Sequence, residues 1–361
     1  MNIVPAGVDT GYGWMKIVSQ GKRVAFHTVV GNGIKRTMQL GVRRVSNNQS
    51  QADAVKELDV IVTDHADGRI NHYFFGELAT IFAPRHSYIF DRNKVLTEQA
   101  KAAIFVGLAL ITEGKECEYL AVLGAPVGEY EELDTLYREA FPSSMSVTFN
   151  AGPLAGQTKK ITIAKATVLP QGFGVYLHEI LDEKGDGRDK KLLSKRCGVV
   201  DIGFRTSIGL PIYKSEPVDA GAVQTEDGMS VVHEAIKKYL KDTYNINEPL
   251  GRIEAISRVD LLDIGDGQHV NIKNVREQAL RQVANNTKSA VLSKAEEWDL
   301  DTIDRILVAG GGGEVAFPFL DLPKKKLVPD AQLANALGYE KLAVRSLRLR
   351  AMQNAETAIV S

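Results

Sequence analysis

Three glycine-bearing turns hold the residues whose types and spacing suit chemistry. They are Val8-Asp9-Thr10-Gly11-Tyr12-Gly13-Trp14-Met15-Lys16, Val199-Val200-Asp201-Ile202-Gly203-Phe204-Arg205-Thr206-Ser207 and Leu307-Val308-Ala309-Gly310-Gly311-Gly312-Gly313-Glu314. In the first two, an apolar run ends in aspartate, a glycine lies two residues on, and a second run begins. Glycine frees the backbone for positive φ, which lets consecutive N–H groups point at one anion. The aspartate is placed to hold a hydrated cation beside that anion. Magnesium suits such a site because it keeps several waters and takes few carboxylates. Lys16 follows Asp9 by seven residues, across the turn, where its ammonium can meet a phosphate. Read singly, each of these turns is first of all an ordinary Asp-x-Gly hairpin. The four glycines of the third approach an anion or a flat ring closely, or simply form a loop. No Gly-Lys-Ser/Thr follows any of the turns, which excludes a P-loop, and Gly11 to Lys16 does not satisfy the Gly-x-Gly-x-x-Gly dinucleotide fingerprint.

Strands and helices must position these turns. Apolar alternation predicts strand, turn, strand over Gly7 to Ser19 and again over Gly198 to Leu210, and a buried strand over Ile303 to Val308 runs into the four glycines. Further strands are expected over Leu58 to Val62, Arg69 to Phe75, Tyr119 to Leu123, Ser146 to Phe149 and Lys160 to Val168, with a hairpin over Leu261 to Ile272. Helices are expected over Thr97 to Thr112 with Thr97 as N-cap, Glu129 to Phe141, Gly172 to Leu181, Gly228 to Leu240, Asn274 to Lys294, and Ala331 to Arg350 with an interruption near Gly338. The most polar stretch, Asp182 to Lys191, reads as an exposed loop. Strands alternating with helices indicate an α/β architecture.

The 361 residues suggest two or three domains, and 44% apolar with 25% charged residues excludes disorder for most of the chain. Lys and Arg number 44 against 45 Asp and Glu, a formal net charge of −1, so no global field attracts nucleic acid or an anionic membrane. The uncharged run Ala102 to Thr112 is too short to span a bilayer. Met1 to Pro5 lacks a signal peptide's basic region, and the two lone cysteines, Cys117 and Cys197, fit a reducing compartment. The expected location is the cytoplasm.

In this order and spacing, the three turns resemble those of the actin, large-chaperone and sugar-kinase superfamily, from Asp9 to about Leu342. Leu169-Pro170-Gln171-Gly172-Phe173-Gly174 and Asp330-Ala331-Gln332-Leu333-Ala334-Asn335-Ala336-Leu337-Gly338 look like that family's two inter-domain connectors. Asp9-Thr10-Gly11-Tyr12-Gly13 with Lys16, Tyr73-Phe74-Phe75-Gly76-Glu77-Leu78-Ala79, and Gly124-Ala125-Pro126-Val127 before Glu129-Tyr130 are similar to plasmid-segregation actins of the ParM/StbA type and their archaeal relatives.

The resemblance implies an α/β fold of two related actin-like (ribonuclease H-like) domains with a nucleotide cleft between them. Domain I would be residues 1–174 plus 331–361, and domain II residues 175–330. It implies ATP, or GTP, with Mg²⁺ held by Asp9 and Asp201, and Gln171 positioning the attacking water. Phosphates would meet Thr10, Gly11, Tyr12, Gly13, Lys16, Gly203, Phe204, Arg205 and Thr206. Gly310, Gly311, Gly312 and Gly313 would meet adenosine, and Arg276 and Glu277 ribose and adenine. Several of these have a second reading. Arg205 faces either phosphate or solvent, Gly228 opens a helix that faces a nucleotide or is merely capped, and Arg276 with Glu277 equally suit a solvated helix face. Gln171 stands where ParM-like chains often carry Glu, so it would orient water rather than act as a base. The basic, partly apolar helix bearing Arg345, Arg348 and Leu342 is expected to dock on domain I. The implied function is a filament-forming ATPase in DNA segregation, its partners further copies of itself and a DNA-binding adaptor, with neither direct nucleic-acid binding nor a membrane expected. The alternatives are a small-molecule kinase of the same fold, or a nucleotide-binding scaffold for membrane or cell-division partners.

Overall fold

The computed structural model describes residues 3–36, 54–89, 96–248, 250–265 and 267–360. The chain's own contacts divide it into two units, Met1–Arg188 with Asn335–Ser361, and Asp189–Ala334.

The first unit is built on a ten-stranded sheet. In chain order its strands are β1 (Val4–Thr10), β2 (Trp14–Ser19), β3 (Lys22–His27), β4 (Val29–Asn32), β5 (Asp59–Asp64), β6 (Ile70–Phe75), β7 (His86–Tyr88), β8 (Glu116–Ala125), β9 (Ser143–Phe149) and β10 (Thr158–Pro170). The spatial order is β3-β2-β1-β8-β10-β9-β5-β6-β4-β7. The hairpin β1–β2 is antiparallel, and β1, β8 and β10 run parallel. The unit's helices are α1 (Glu77–Phe82), α2 (Glu98–Ile111), α3 (Tyr130–Ala140), α4 (Phe173–Ile180) and, beyond the second unit, α10 (Ala334–Val360). The expected N-cap of α2 is present, Thr97 accepting from Ala100 N. Its residues Ala102 to Ile111 are all buried, as suits a helix apolar all round. The carbonyls at its C-terminal end are satisfied by lysines from the sheet. Buried Lys159 donates to Ala109 O and Thr112 O, and Lys22 donates to Ile111 O.

One sequence expectation changes here. α10 runs unbroken through Gly338, which is there for proximity: a Cβ on it would lie 2.7 Å from His178 N and run into the Gly174 backbone. The polar stretch after α4 is a mostly exposed loop, as expected, and it is also tied to α10. Gly185 packs on the Arg345 backbone, Arg345 donates to Gly185 O, and Arg348 pairs with Asp186 at 2.9 Å. Burial explains the rest of the docking, since Tyr339 and Ala343 form a small core with Leu120 and Val122 of β8. The same contacts keep α4 in the first unit, which therefore runs on to Arg188.

The second unit holds β11 (Arg196–Ile202), β12 (Ser207–Tyr213), β13 (Glu216–Pro217), β14 (Val223–Thr225), β17 (Arg305–Ala309) and β18 (Lys325–Leu327) in one sheet, with β15 (Leu261–Asp263) and β16 (His269–Asn271) as a separate hairpin. Its helices are α5 (Met229–Tyr244), α6 (Leu250–Ile256), α7 (Lys273–Leu292), α8 (Ala295–Trp298) and α9 (Gly313–Ala316). The sheet runs β13-β12-β11-β17-β18, with β11–β12 antiparallel and β11, β17 and β18 parallel. The first unit contains the same plan as β3-β2-β1-β8-β10. Trp298 anchors the second core, fully buried and donating Nε1 to Gly221 O. Its indole lies against two mid-strand glycines, where a Cβ on Gly198 or Gly209 would come within 3.0 Å of the ring.

Candidate functional site

In the first unit the sequence-predicted residues gather at the C-terminal ends of parallel strands, where open α/β sheets bind their ligands. Hairpin register sets Asp9 directly across from Lys16. The two side chains form an ion pair of 2.9 Å, with Asp9 buried and Lys16 nearly so. Thr10, at the end of β1, donates its hydroxyl to Gly124 O at the end of β8. Tyr137 on α3 bonds to Thr10 from below, and burial pushes its phenol up to about 12. The turn Gly11–Gly13 is braced by Thr28, whose N–H meets Gly13 O and whose hydroxyl meets Tyr12 O. A Cβ on Gly11 would come within 2.8 Å of Trp14 O, so the tight turn requires glycine. Gln171 is buried just beyond β10 and donates its N–H to Ala125 O at 2.6 Å. Asp9, Lys16, Thr10 and Gln171 thus stand at one edge of one sheet.

The second unit repeats the arrangement. Asp201 pairs in register with Ala309, so the aspartate-bearing end of β11 lies beside the glycine run that follows β17. Gly310 adopts φ +88°, and a Cβ there would collide with Ile202 O and Asp201 Oδ1. Gly312 N donates to Ile202 O, and Gly313 N to Gly310 O, where α9 begins. Gly203 N and Thr206 O close the β11–β12 turn, with Phe204 and Arg205 at its tip. Arg205 pairs with Glu226 at 3.3 Å, and Phe204 lies 5.6 Å from the His233 ring.

Other predicted contacts are engaged within the fold. Gly228 sits against the turn, where a Cβ would lie 2.6 Å from Phe204 O. The first amides of α5, Met229 N and Ser230 N, donate to Gly203 O and Phe204 O. Those amides brace the turn from behind. Arg276 closes the end of α6, donating to Ser257 O and Val259 O and pairing with Asp260. Glu277 is half-buried on α7.

No group of three or more His, Cys, Asp and Glu among the described residues gathers as a metal cage. One strand-end aspartate per unit fits magnesium, which takes its remaining ligands from water and phosphate. The glycines at 11 and 310 admit the close approach of the chain's own Trp14 O and of Ile202 O with Asp201 Oδ1, which sets the shape of both turns. Asn335, which the second connector motif contains, and Tyr137 and Tyr339, which sequence reasoning did not single out, support the strand ends through hydrogen bonds. Only the apolar–Tyr–apolar spacing of their helices could have suggested the two tyrosines.

Residues 7–174 match a family model described as the actin-like proteins' N-terminal domain. Residues 199–321 match one described as the archaeal actin homologue MreB-like C-terminal domain. The fold is similar to a 15-stranded ParM filament from Clostridium botulinum, at 20% identity and TM-score 0.75, over 96% of this chain and 100% of that one. An archaeal actin homologue matches at 21% identity and TM-score 0.72, over 95% and 100%. ParM from Bacillus thuringiensis solved with ATP matches at 16% identity and TM-score 0.71, over 98% and 100%. A curated sequence, proteasome subunit alpha of Thermobifida fusca, is 26% identical over 170 residues, 45% of this chain and 68% of that one. That match leaves more than half of this chain unaccounted for, whereas the fold matches span nearly all of it.

Proposed function

We propose that this chain, which belongs to the actin-like proteins, binds ATP with magnesium, hydrolyses it and assembles into filaments with copies of itself. The observation that carries the reading is the repeat: in each unit an aspartate stands next to last in a central strand and a glycine turn follows that strand. Two such ends supply what phosphoryl transfer demands, namely positioned donors and few protein carboxylates. The likeness to ParM filaments supports self-assembly, and ParM with ATP supports the nucleotide. DNA segregation through a DNA-binding adaptor, in the cytoplasm, extends the same reading.

Asp9 and Asp201 are the residues that would carry magnesium through its water shell. The ion, when bound, offsets negative charge on the β- and γ-phosphates. Lys16 has an ammonium with three donors and can bridge Asp9 and a phosphate oxygen. The amides of the Gly11–Gly13 turn and of Phe204 and Arg205 orient the phosphates, and Gly310–Gly313 gives the adenosine a surface without side chains. Gln171 orients a water in line with the γ-phosphorus. A P–O bond forms to that water as the bond to the β-phosphate oxygen breaks, and the water's proton leaves with inorganic phosphate. A carboxamide is a weak base, so catalysis rests on alignment and electrostatics.

The test is phosphate release together with pelleting and electron microscopy. Protein is incubated with ATP, ADP or a non-hydrolysable analogue, with and without Mg²⁺. Magnesium-dependent hydrolysis and sedimenting filaments are expected. Monomers at every concentration with the analogue would remove the filament reading. Phosphate transferred to a sugar panel, with none released to water, would favour a kinase.

A further inference from the structure

The peptide units on either side of Gln171 are gripped by one helix. From α10, Tyr339 Oη donates to Pro170 O at 3.3 Å. One turn earlier on the same helix, Asn335 Oδ1 accepts from Gly172 N at 3.2 Å. The third constraint comes from the strand end, Gln171 N to Ala125 O at 2.6 Å. The residue is therefore held by its own amide, by the carbonyl before it and by the amide after it. Gly172 has φ +90°, so the backbone turns sharply here, and no ladder continues β10 beyond Pro170.

The surroundings are shaped for this grip. The Tyr339 side chain is fully buried between two glycines. A Cβ on Gly124 would lie 2.6 Å from its hydroxyl, and one on Gly174 would lie 2.7 Å from its Cε1. Gly174 would also meet Asn335 O at 2.6 Å. A phenylalanine would fill the same slot equally well, so packing alone does not account for the hydroxyl.

We infer that Tyr339 and Asn335 are positioning residues for Gln171, an inference that rests on the hydrolytic role proposed above for that glutamine. Neither touches substrate. Both fix the backbone from which the carboxamide reaches its water, and small errors in such alignment cost rate steeply. Loss of either bond lets the Pro170–Gly172 backbone drift, which affects the transition state more than ground-state binding.

The experiment is a double-mutant cycle on the full chain with Tyr339→Phe, Gln171→Ala and the pair, reading kcat, nucleotide Kd and melting temperature. Tyr339→Phe is expected to lower kcat about fivefold, the effect of one neutral hydrogen bond, with Kd changed by less than about twofold. In the Gln171→Ala background it should change kcat no further. Asn335→Ala should lower kcat likewise, and Asn335→Asp, which keeps an oxygen on Gly172 N, should recover most of it. If Tyr339→Phe folds poorly, the Asn335 pair decides. An unchanged kcat, or an equal fall in the Gln171→Ala background, overturns the inference while Gln171 keeps its role. An unchanged kcat in Gln171→Ala itself overturns both.

Discussion

Asp9 and Lys16 face each other across the β1–β2 hairpin, in register and joined by a 2.9 Å ion pair. Seven residues separate them in the chain, yet two antiparallel strands place their side chains on the same face of the sheet. Their burial makes the pair sensitive to the loss of one member, because the survivor keeps its charge without compensation.

Lys16→Met is expected to destabilise the first unit by about 2–4 kcal/mol, and the double variant with Asp9→Asn by clearly less. Urea unfolding of the four proteins gives the coupling directly. Equal losses in the single and double variants would show that the pair contributes through packing only.

Asp201→Ala should abolish turnover while leaving the fold intact. The aspartate is half-buried at the end of β11, with its neighbours Ile202 and Val200 carrying the core. A fall in phosphate release of about 100-fold or more is expected, with little change in melting temperature. Hydrolysis at the wild-type rate would remove Asp201 from the site.

Gln171→Ala should slow hydrolysis strongly and spare nucleotide binding, since a water-orienting group acts on the transition state. Filaments of this variant should outlive those of the wild type after ATP addition, as seen by light scattering. Collapsed nucleotide affinity with normal turnover per bound ATP would contradict the role.

Gly310→Ala tests the third turn. At φ +88° a methyl group both strains the backbone and strikes Ile202 O and Asp201 Oδ1. A stability loss of roughly 2–4 kcal/mol is expected, with nucleotide binding reduced. Gly311→Ala should be milder, since a Cβ there meets only Gln332 at 3.7 Å. Equal effects at the two positions would count against the geometry.

Glu340 gives a pH dependence with a definite sign. Burial pushes its carboxyl up from the usual range, although Gln20 N and Gly21 N donate to it. A folded-state pKa above the unfolded one means that stability is fully present below the unfolded value and is lost as pH rises through the folded one. Glu340→Gln keeps an acceptor and removes the buried charge. It should therefore melt higher than wild type at neutral pH, and the two curves should converge on acidification. A difference that widens at low pH would refute this.

Much of the candidate site was legible in the chain because its signals are local. An apolar strand ending in aspartate, a glycine two residues on and a lysine placed across a hairpin follow from backbone geometry over a few residues, so Asp9, Lys16, Asp201 and the glycine runs could be named from spacing. The strand-helix alternation carried the α/β class in the same way, and the cap at Thr97 needed only its own first turn. What the sequence could not decide were matters of long-range packing. Gly338 looks like a helix breaker until Gly174 O occupies the place of its Cβ. Arg276 suits a ligand contact or a solvated helix face until the end of α6 accepts its guanidinium. The first amides of α5 look available until the Gly203–Thr206 turn takes them. Tyr339 reads as one more buried aromatic until its hydroxyl meets Pro170, 169 residues away. Each of these depends on which surface comes into direct contact, and that is set when distant segments close on a shared core, where apolar burial chooses the partners and no local pattern records the choice.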